Sequence, residues 1–292
     1  MRWTPRGPSD NLEDRRADTG GRRIRPAQVG IGLGGLLVLG ALSLLFGENF
    51  FTLLDYVPTT GESAGPTATR PYDTTGGAVS SPEEERQVQF VSFVLDDVQA
   101  TWAKALPQSG TPYRETKLVL FRDAIESACG FADAASGPFY CPADQKVYID
   151  LGFYDELKQR FGASGEFAQA YVIAHELGHH VQHLLGIDEQ IQRAQARRPS
   201  QANQLSVMLE LQADCLAGVW GNSTAKRQLL EQGDVESGLN AAAAIGDDRI
   251  QRMSTGRVFP ERFTHGSSAQ RVEWFKRGLS TGQISACNTF GG

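Results

Sequence analysis

The chain has 292 residues, of which 40% are hydrophobic and 21% charged, a composition typical of a protein with a packed core. It carries 28 basic and 34 acidic residues, so its formal net charge is −6. This acidic balance argues against nucleic-acid binding, which depends on the neutralisation of phosphates by lysine and arginine.

The amino-terminal region predicts a membrane anchor. Residues 1–25 are polar, include seven arginines and lack hydrophobic periodicity, so a disordered tail is expected there. Residues 26–47 contain no charged side chain. About 20 apolar residues in a helix cross the hydrocarbon core of a bilayer, so this stretch predicts one transmembrane helix and a lipid bilayer as partner. A cleaved signal peptide is the alternative, but the stretch is longer than a typical signal core and no clear cleavage site follows it.

The distribution of arginine predicts the orientation of that helix. Basic residues concentrate on the cytoplasmic side of membrane spans. The tail is therefore expected in the cytoplasm, and everything after residue 48 is expected outside it, which describes a single-pass protein of a cell membrane.

A folded domain is expected at residues 81–292, after a tether at 48–80 that is rich in Thr, Gly, Ser and Pro. Ser81 can cap a helix and Pro82 suits its first position. Strands are predicted at 116–121 and 146–151 by their β-branched and aromatic residues. A small sheet followed by many helices predicts an α+β fold. The later helices are predicted at 154–161, 166–185, 188–197, 201–221, 234–253 and 267–278.

All four cysteines fall in the expected external domain. An even number of cysteines in an oxidising compartment favours two disulfides, and four buried thiols are the alternative. Of the three possible pairings we predict Cys129–Cys141, which would close the short loop between the two strands, and Cys215–Cys287, which would tie the carboxyl-terminal tail to a helix.

Residues 175–183 read HELGHHVQH and contain four of the five histidines of the chain. On a helix, His175 and His179 share one face and can direct two imidazoles at one metal ion. Glu176 is displaced from that face by about 100°. It is therefore expected to flank the metal and to accept a proton from a zinc-activated water. His180 points away and favours a structural role, and His183 is similar.

A catalytic zinc ion needs a third protein ligand. His183 is on the same helix, which rarely supplies three ligands, and His265 lies in a loop-like region. The metzincin spacing fails because it would require glycine and histidine where the chain has Gln182 and Leu185. Glu210 is the remaining candidate.

Glu210 and Asp214 are four residues apart on a predicted apolar helix and therefore share one face. Two carboxylates on such a helix need partners. A zinc ion for Glu210 and the N–H of a ligating histidine for Asp214 would supply both. The alternative is a pair of surface acids. Cys215 lies well around the helix from Glu210 and is not expected to reach the same metal.

The stretches HELGHHVQH, LELQADCLAGVW, GPFYCPADQKVYID and FTHGSSAQRVEWFKRG together resemble the "putative neutral zinc metallopeptidases", bacterial membrane-anchored proteins related to the gluzincins. The resemblance spans about residues 81–292 and includes the amino-terminal anchor. It implies a zincin fold. The site that it implies has His175, His179 and Glu210 as Zn²⁺ ligands, Glu176 as general base and Asp214 behind a histidine.

Two further roles are open on the sequence alone. Gluzincins usually stabilise the oxyanion with a loop histidine or a tyrosine, which the resemblance extends to His265. The alternative is a histidine at a helix entry, beside the capping residues Ser267 and Ser268. The strand 146–151 is either an edge strand along which an extended substrate pairs or an ordinary core strand.

The sequence therefore predicts a membrane-tethered zinc peptidase that hydrolyses an unidentified protein or peptide substrate outside the cytoplasm. A catalytically silent, zinc-stabilised binding module of the cell envelope is the first alternative. The intact Glu176 argues against it, because a structural site closes with four protein ligands and needs no base. A zinc hydrolase with another substrate is the second alternative.

Overall fold

The computed structural model of the protein describes residues 1–18, 81–133, 136–160 and 162–291. The predicted transmembrane helix at 26–47 and the tether at 48–80 lie outside these ranges. Within the described ranges, no helix combines the length and the apolar character needed to cross a bilayer. The described residues belong to one compact unit.

Helices make up most of the described chain and confirm a mostly helical α+β arrangement. Ser81 caps the first helix by accepting a hydrogen bond from the backbone N–H of Glu84, as its sequence predicts. Short 3-10 turns connect several of the helices. The α-helices of the described ranges are α1 (Pro82–Ala105), α2 (Gly152–Gln159), α3 (Glu166–Leu184), α4 (Ile187–Arg197), α5 (Ala202–Lys226), α6 (Asp234–Ala244), α7 (Asp247–Thr255) and α8 (Ser268–Thr281).

The single helix predicted at 234–253 is wrong, because the chain forms α6 and α7 with a break at Gly246. A β-carbon at Gly246 would lie 2.4 Å from the backbone nitrogen of Ser268, so only glycine permits this approach. The break lets Asp247 begin a new helix and direct its carboxylate at the loop before α8, where it accepts the backbone N–H groups of His265 and Gly266.

The main sheet has four strands in the order β1-β2-β6-β5. Strands β1, β2 and β6 are parallel, and β5 runs antiparallel to β6 at one edge. Strand β6 lies between β2 and β5, so the predicted strand 146–151 is a core strand and the edge-strand alternative is wrong. Strands β3 and β4 form a separate antiparallel hairpin. The strands are β1 (Leu12–Asp14), β2 (Lys117–Phe121), β3 (Ala124–Ser127), β4 (Gly130–Asp133), β5 (Phe139–Cys141) and β6 (Lys146–Asp150).

The main core lies between the sheet and the helices α1, α3 and α5. In α1, Val91, Val94, Leu95, Val98 and Trp102 repeat at helical spacing and are fully buried. The interior positions of β2 and β6 are apolar on both faces, as expected for strands that are covered on both sides. The hairpin β3–β4 packs in a smaller cluster with the other face of β2 and β6.

The expectation of a disordered amino-terminal tail is wrong for residues 1–18. Leu12–Asp14 form β1, which pairs in parallel with β2. The composition misled because this segment gains its partners through backbone hydrogen bonds and ion pairs rather than through a hydrophobic repeat. Lys146, for example, donates to both carboxylate oxygens of Glu13 at 2.9 Å. The compact unit therefore includes residues 1–18 as well as the domain expected at 81–292.

Two disulfides join the cysteines in the expected pairing. Cys129–Cys141 connects the turn of the hairpin β3–β4 to the edge strand β5. Cys215–Cys287 ties the carboxyl-terminal segment to α5. None of the cysteines is free. The alternative of four free thiols does not hold in this structure.

Candidate metal centre

Two helices meet where the histidine-rich segment lies. His175 and His179 are one turn apart on α3. Between them, a β-carbon at Gly178 would lie 3.1 Å from the carbonyl oxygen of Ala213 and 3.3 Å from its Cα. The missing side chain lets α3 and α5 approach closely at this point, and this approach brings Glu210 of α5 to the two histidines.

The three residues converge on one point. The Nε2 atom of His175 lies 3.2 Å from Oε2 of Glu210, and the Nε2 atom of His179 lies 3.5 Å from Oε1 of the same carboxylate. One ligand atom from each of the three residues fits within 4.8 Å of the others, so the group could hold a metal ion. In a tetrahedral zinc site with bonds of about 2.0–2.2 Å, neighbouring ligand atoms lie about 3.3–3.6 Å apart. Both distances to Glu210 match that spacing.

The second nitrogen of each histidine is held by an oxygen acceptor. Nδ1 of His175 lies 2.9 Å from Asp214 Oδ1, and Nδ1 of His179 lies 2.8 Å from Gln182 Oε1. Gln182 is itself oriented, because its amide group donates to the carbonyl oxygen of Leu209. A histidine that donates its Nδ1–H presents an Nε2 lone pair, which is the form that binds a metal. The residues present therefore fit a zinc ion.

Asp214 lies at the centre of a buried polar network. Its carboxylate accepts hydrogen bonds from Nε of Arg271 at 2.8 Å and from the Tyr171 hydroxyl, in addition to its contact with His175. Asp214 is 0% exposed and Arg271 2% exposed. The surface-acid alternative is therefore wrong for Asp214. Helix α8 can carry Arg271 to this point because it packs directly on α5, where a β-carbon at Gly278 would lie 1.9 Å from a backbone oxygen.

The electrostatics of the centre favour a bound cation. Burial opposes a charged imidazole, but the carboxylates of Asp214 and Glu210 outweigh it and raise the pKa of His175 to about 10. Burial also favours a neutral Glu210, yet the charges of His179 and His175 lower the pKa of its carboxyl group. Arg271 and His175 likewise outweigh burial and lower the pKa of Asp214. The same carboxylates supply negative charge that would also attract a metal cation, which has to displace the proton of His175 in order to bind.

Glu176 lies beside the ligands without joining them. It follows His175 on α3 and is only 7% exposed. The metal-binding group comprises His175, His179 and Glu210, without Glu176. Within the described part of the chain, the Glu176 carboxylate has no hydrogen-bond or ion-pair partner. Its oxygens are therefore not engaged by another described side chain, and its role as general base stays a prediction.

His265 lies in the loop before α8 and is held by Asp247. Its Nδ1 is 3.2 Å from Asp247 Oδ1, and its side chain is 52% exposed. The hydrogen bond with Asp247 raises the pKa of His265 against the effect of burial, and the Glu210 carboxylate adds to the increase. His265 is thus electrostatically coupled to a predicted metal ligand, although it is not one itself. Ser267 caps α8 in a capping box, so His265 does lie at the entry of that helix, and its catalytic role stays a prediction.

The other two histidines of the cluster have separate partners. His180 contacts the Tyr140 hydroxyl at 3.0 Å and the carbonyl oxygen of Arg114 at 2.7 Å. Burial lowers its pKa to about 4, so it is a neutral structural group. His183 pairs with Asp188 at 2.7 Å. Neither belongs to the group that could hold a metal ion.

Three residues of the centre have no role in the sequence analysis. Arg271 reads as a surface residue in the polar segment SSAQRVEWFKRG, and Tyr171 reads as core in α3. Gln182 enters only as the residue that excludes a metzincin. One signal was available for Arg271: a buried Asp214 needs a charged partner in addition to a histidine N–H.

Comparison with known proteins agrees with this geometry. The model of the family described as "putative neutral zinc metallopeptidase" matches residues 1–290, and the chain belongs to this family. The chain is 46% identical over 296 residues to the "Uncharacterized protein YpfJ" of Escherichia coli K12, covering 100% of this chain and 99% of that protein. It is 45% identical over 206 residues to the "Uncharacterized protein Rv2575" of Mycobacterium tuberculosis H37Rv, covering 67% of this chain and 68% of that protein. No solved structure matches the chain.

Proposed function

We propose that the protein is a zinc-dependent peptidase whose metal ligands are His175, His179 and Glu210. One observation carries the proposal. Two Nε2 atoms and a carboxylate converge at zinc-like spacing beside Glu176, which has no partner of its own within the described residues. Three protein ligands with a neighbouring free carboxylate are the composition of a catalytic zinc site, whereas a structural zinc site has four protein ligands.

The residues around the ligands have distinct roles in this proposal. A bound zinc ion would activate a water molecule and polarise the carbonyl group of a peptide bond. Glu176 would accept a proton from the attacking water and return it to the leaving amine nitrogen. His265 would donate a hydrogen bond to the carbonyl oxygen as that atom gains negative charge. Its raised pKa keeps more of His265 protonated near neutral pH than an ordinary histidine would be.

The edge strand β5 offers a place for the substrate backbone. It ends the main sheet, and its Tyr140 contacts His180 on the helix that carries the proposed ligands. An extended peptide can add to such an edge through main-chain hydrogen bonds. We therefore assign the pairing strand to β5 rather than to β6. This arrangement, a metal helix beside an antiparallel edge strand, supports the zincin-like fold as part of the proposal.

We further propose that the zinc domain lies outside the cytoplasm. Two disulfides support an oxidising compartment, because cytosolic thiols are kept reduced. The uncharged residues 26–47 support an association with a membrane. The proposal does not place the amino terminus in the cytoplasm, because residues 1–18 pack on the same domain.

The test is metal removal and restoration on the full chain, with a diverse peptide library as substrate. A chelator should abolish cleavage, and added Zn²⁺ should restore it in the wild type. The Glu210→Ala variant, treated in parallel, should regain no cleavage when Zn²⁺ is added. Cleavage that resists the chelator, or that persists in Glu210→Ala, would contradict the proposal. A chain that binds zinc tightly and cleaves nothing in the library would favour the silent binding module.

A further inference from the structure

Residues 1–18 contact several separate elements of the zinc domain, which is the compact unit that carries the proposed metal ligands. Near the amino terminus, the backbone N–H of Arg2 donates to the carbonyl oxygen of Leu229, which follows α5, at 2.7 Å. The ring of Trp3 packs edge-on against Phe90 of α1 with a centroid distance of 5.3 Å. This part of the segment is therefore fixed by contacts with two separate helical regions.

Strand β1 then completes the main sheet. Leu12, Glu13 and Asp14 stand opposite Leu118, Val119 and Leu120 of β2. The flanking backbone bonds extend the ladder: the N–H of Leu118 donates to the carbonyl oxygen of Asn11 at 2.9 Å, and the N–H of Arg15 donates to that of Leu120 at 2.8 Å. Without β1, this edge of β2 would expose unpaired backbone groups.

Several charged residues of the segment form ion pairs, either within the segment or with the rest of the domain. Arg16 pairs with Asp14 at 2.6 Å and with Glu84 at the start of α1 at 2.5 Å. Arg2 lies 3.7 Å from Glu231. Both arginines counted toward the predicted cytoplasmic side of a membrane span, whereas in the structure they form ion pairs with the folded domain.

The contact between Arg16 and Glu84 has a consequence for topology. It places the end of the segment beside the start of α1, so residues 1–18 and α1 lie on the same side of any bilayer. A single crossing by residues 26–47 would put β1 and β2 on opposite sides, where they cannot pair. Residues 48–80 contain charged side chains and no comparable apolar run, so they do not predict a return crossing.

We infer that residues 1–18 are a structural part of the zinc domain, supplied by the same chain, and lie in the same compartment as the metal centre. The paired β1 and a single-pass topology with a cytoplasmic amino terminus exclude each other. This inference does not rest on peptidase activity, because it concerns strand pairing alone.

Cross-linking in intact cells tests the inference. Asn11 donates from its side-chain nitrogen to Glu115 at 2.9 Å, and both side chains reach solvent. The double variant Asn11→Cys/Glu115→Cys would be made in the full chain, with a protease site inserted among residues 58–80. A short membrane-permeant bismaleimide would be added to cells, and the purified chain would then be cleaved at the inserted site. The native cysteines are paired and do not compete for the reagent.

The expected result is that the two fragments of the double variant still migrate together as one chain. Each single variant should give separate fragments. Cross-linked pairs of whole chains before cleavage would overturn the inference, because a second copy would then supply the strand. Separate fragments from the double variant would overturn it as well, provided that its purified form melts at the wild-type temperature.

Discussion

Asparagine at position 214 would keep the shape of the aspartate but remove the charge on which three side chains depend. Asp214 accepts hydrogen bonds from Tyr171 and Arg271 and contacts Nδ1 of His175. In Asp214→Asn, one oxygen becomes an NH₂ group that cannot accept. The guanidinium of Arg271, itself 2% exposed, is then left as a buried charge with no opposite charge in contact with it among the described residues.

The broken ion pair sets the expected loss of stability. Breaking a buried ion pair by removing one partner costs about 3–5 kcal/mol of stability. In a domain of this size, 1 kcal/mol shifts the melting temperature by about 2–4 °C, so the expected decrease is about 6–20 °C. Loss of the negative charge behind a ligating histidine should separately weaken zinc binding by about 10–100-fold.

Calorimetry on the metal-free protein and a zinc competition titration measure the two effects. The control is Glu273→Gln on α8, because Glu273 is 68% exposed and forms only a long surface contact with Arg277. It should change neither quantity appreciably. The double variant Asp214→Asn/Arg271→Met should regain part of the lost stability, because it removes the unpaired charge. An Asp214→Asn variant that has the melting temperature and the zinc affinity of the wild type would refute the assigned network.

Three further predictions follow from the same site. His179→Ala should lose zinc and His183→Ala should retain it, as measured by elemental analysis of purified protein. By NMR titration, His265 should have a pKa above the ordinary value of about 6.5. Asp247→Asn should lower the pKa of His265 toward the ordinary value, because the hydrogen bond with Asp247 contributes most to the increase. The stability that the His265–Asp247 pair contributes is therefore fully present below the pKa that His265 has in the unfolded chain. It is lost as pH rises through the higher pKa that His265 has in the folded protein. Gly178→Val should separate α3 from α5, costing about 1–3 kcal/mol in thermal unfolding and weakening zinc binding. A pKa of His265 at the ordinary value, or a Gly178→Val variant with wild-type stability, would count against the packing described.

The helices were predictable because their signals are local. The capping residues Ser81 and Ser267 mark the starts of α1 and α8, and the apolar repeat of α1 identifies its buried face. Strand β1 was not predictable in this way. It is three residues long and charged, so no periodic pattern predicts it. Its partner strand is about 100 positions away in the sequence. The break at Gly246 depends on a backbone approach by Ser268, which is also a long-range contact.

In the candidate site, too, the local features were predictable and the long-range contacts were not. The spacing of His175 and His179, and of Glu210 and Asp214, indicates which side chains share a helix face. The sequence does not reveal that α8 carries Arg271 into the centre, because an arginine in a polar helix has the same pattern whether it is buried or exposed. The carboxylate of Asp247 could not be linked to His265 for a similar reason, since the link depends on how α7 begins.

Glu176→Gln tests the central claim most directly, because it separates a peptidase from a module that only binds zinc. Glutamine has nearly the same shape and cannot accept a proton at neutral pH. Zinc content, measured in the same sample, should stay at the wild-type level because Glu176 is outside the ligand group. Hydrolysis of a substrate identified from the peptide library should fall by about 10²–10⁴-fold, the range for a lost general base. A zinc-loaded Glu176→Gln variant that cleaves as fast as the wild type would contradict the proposed mechanism.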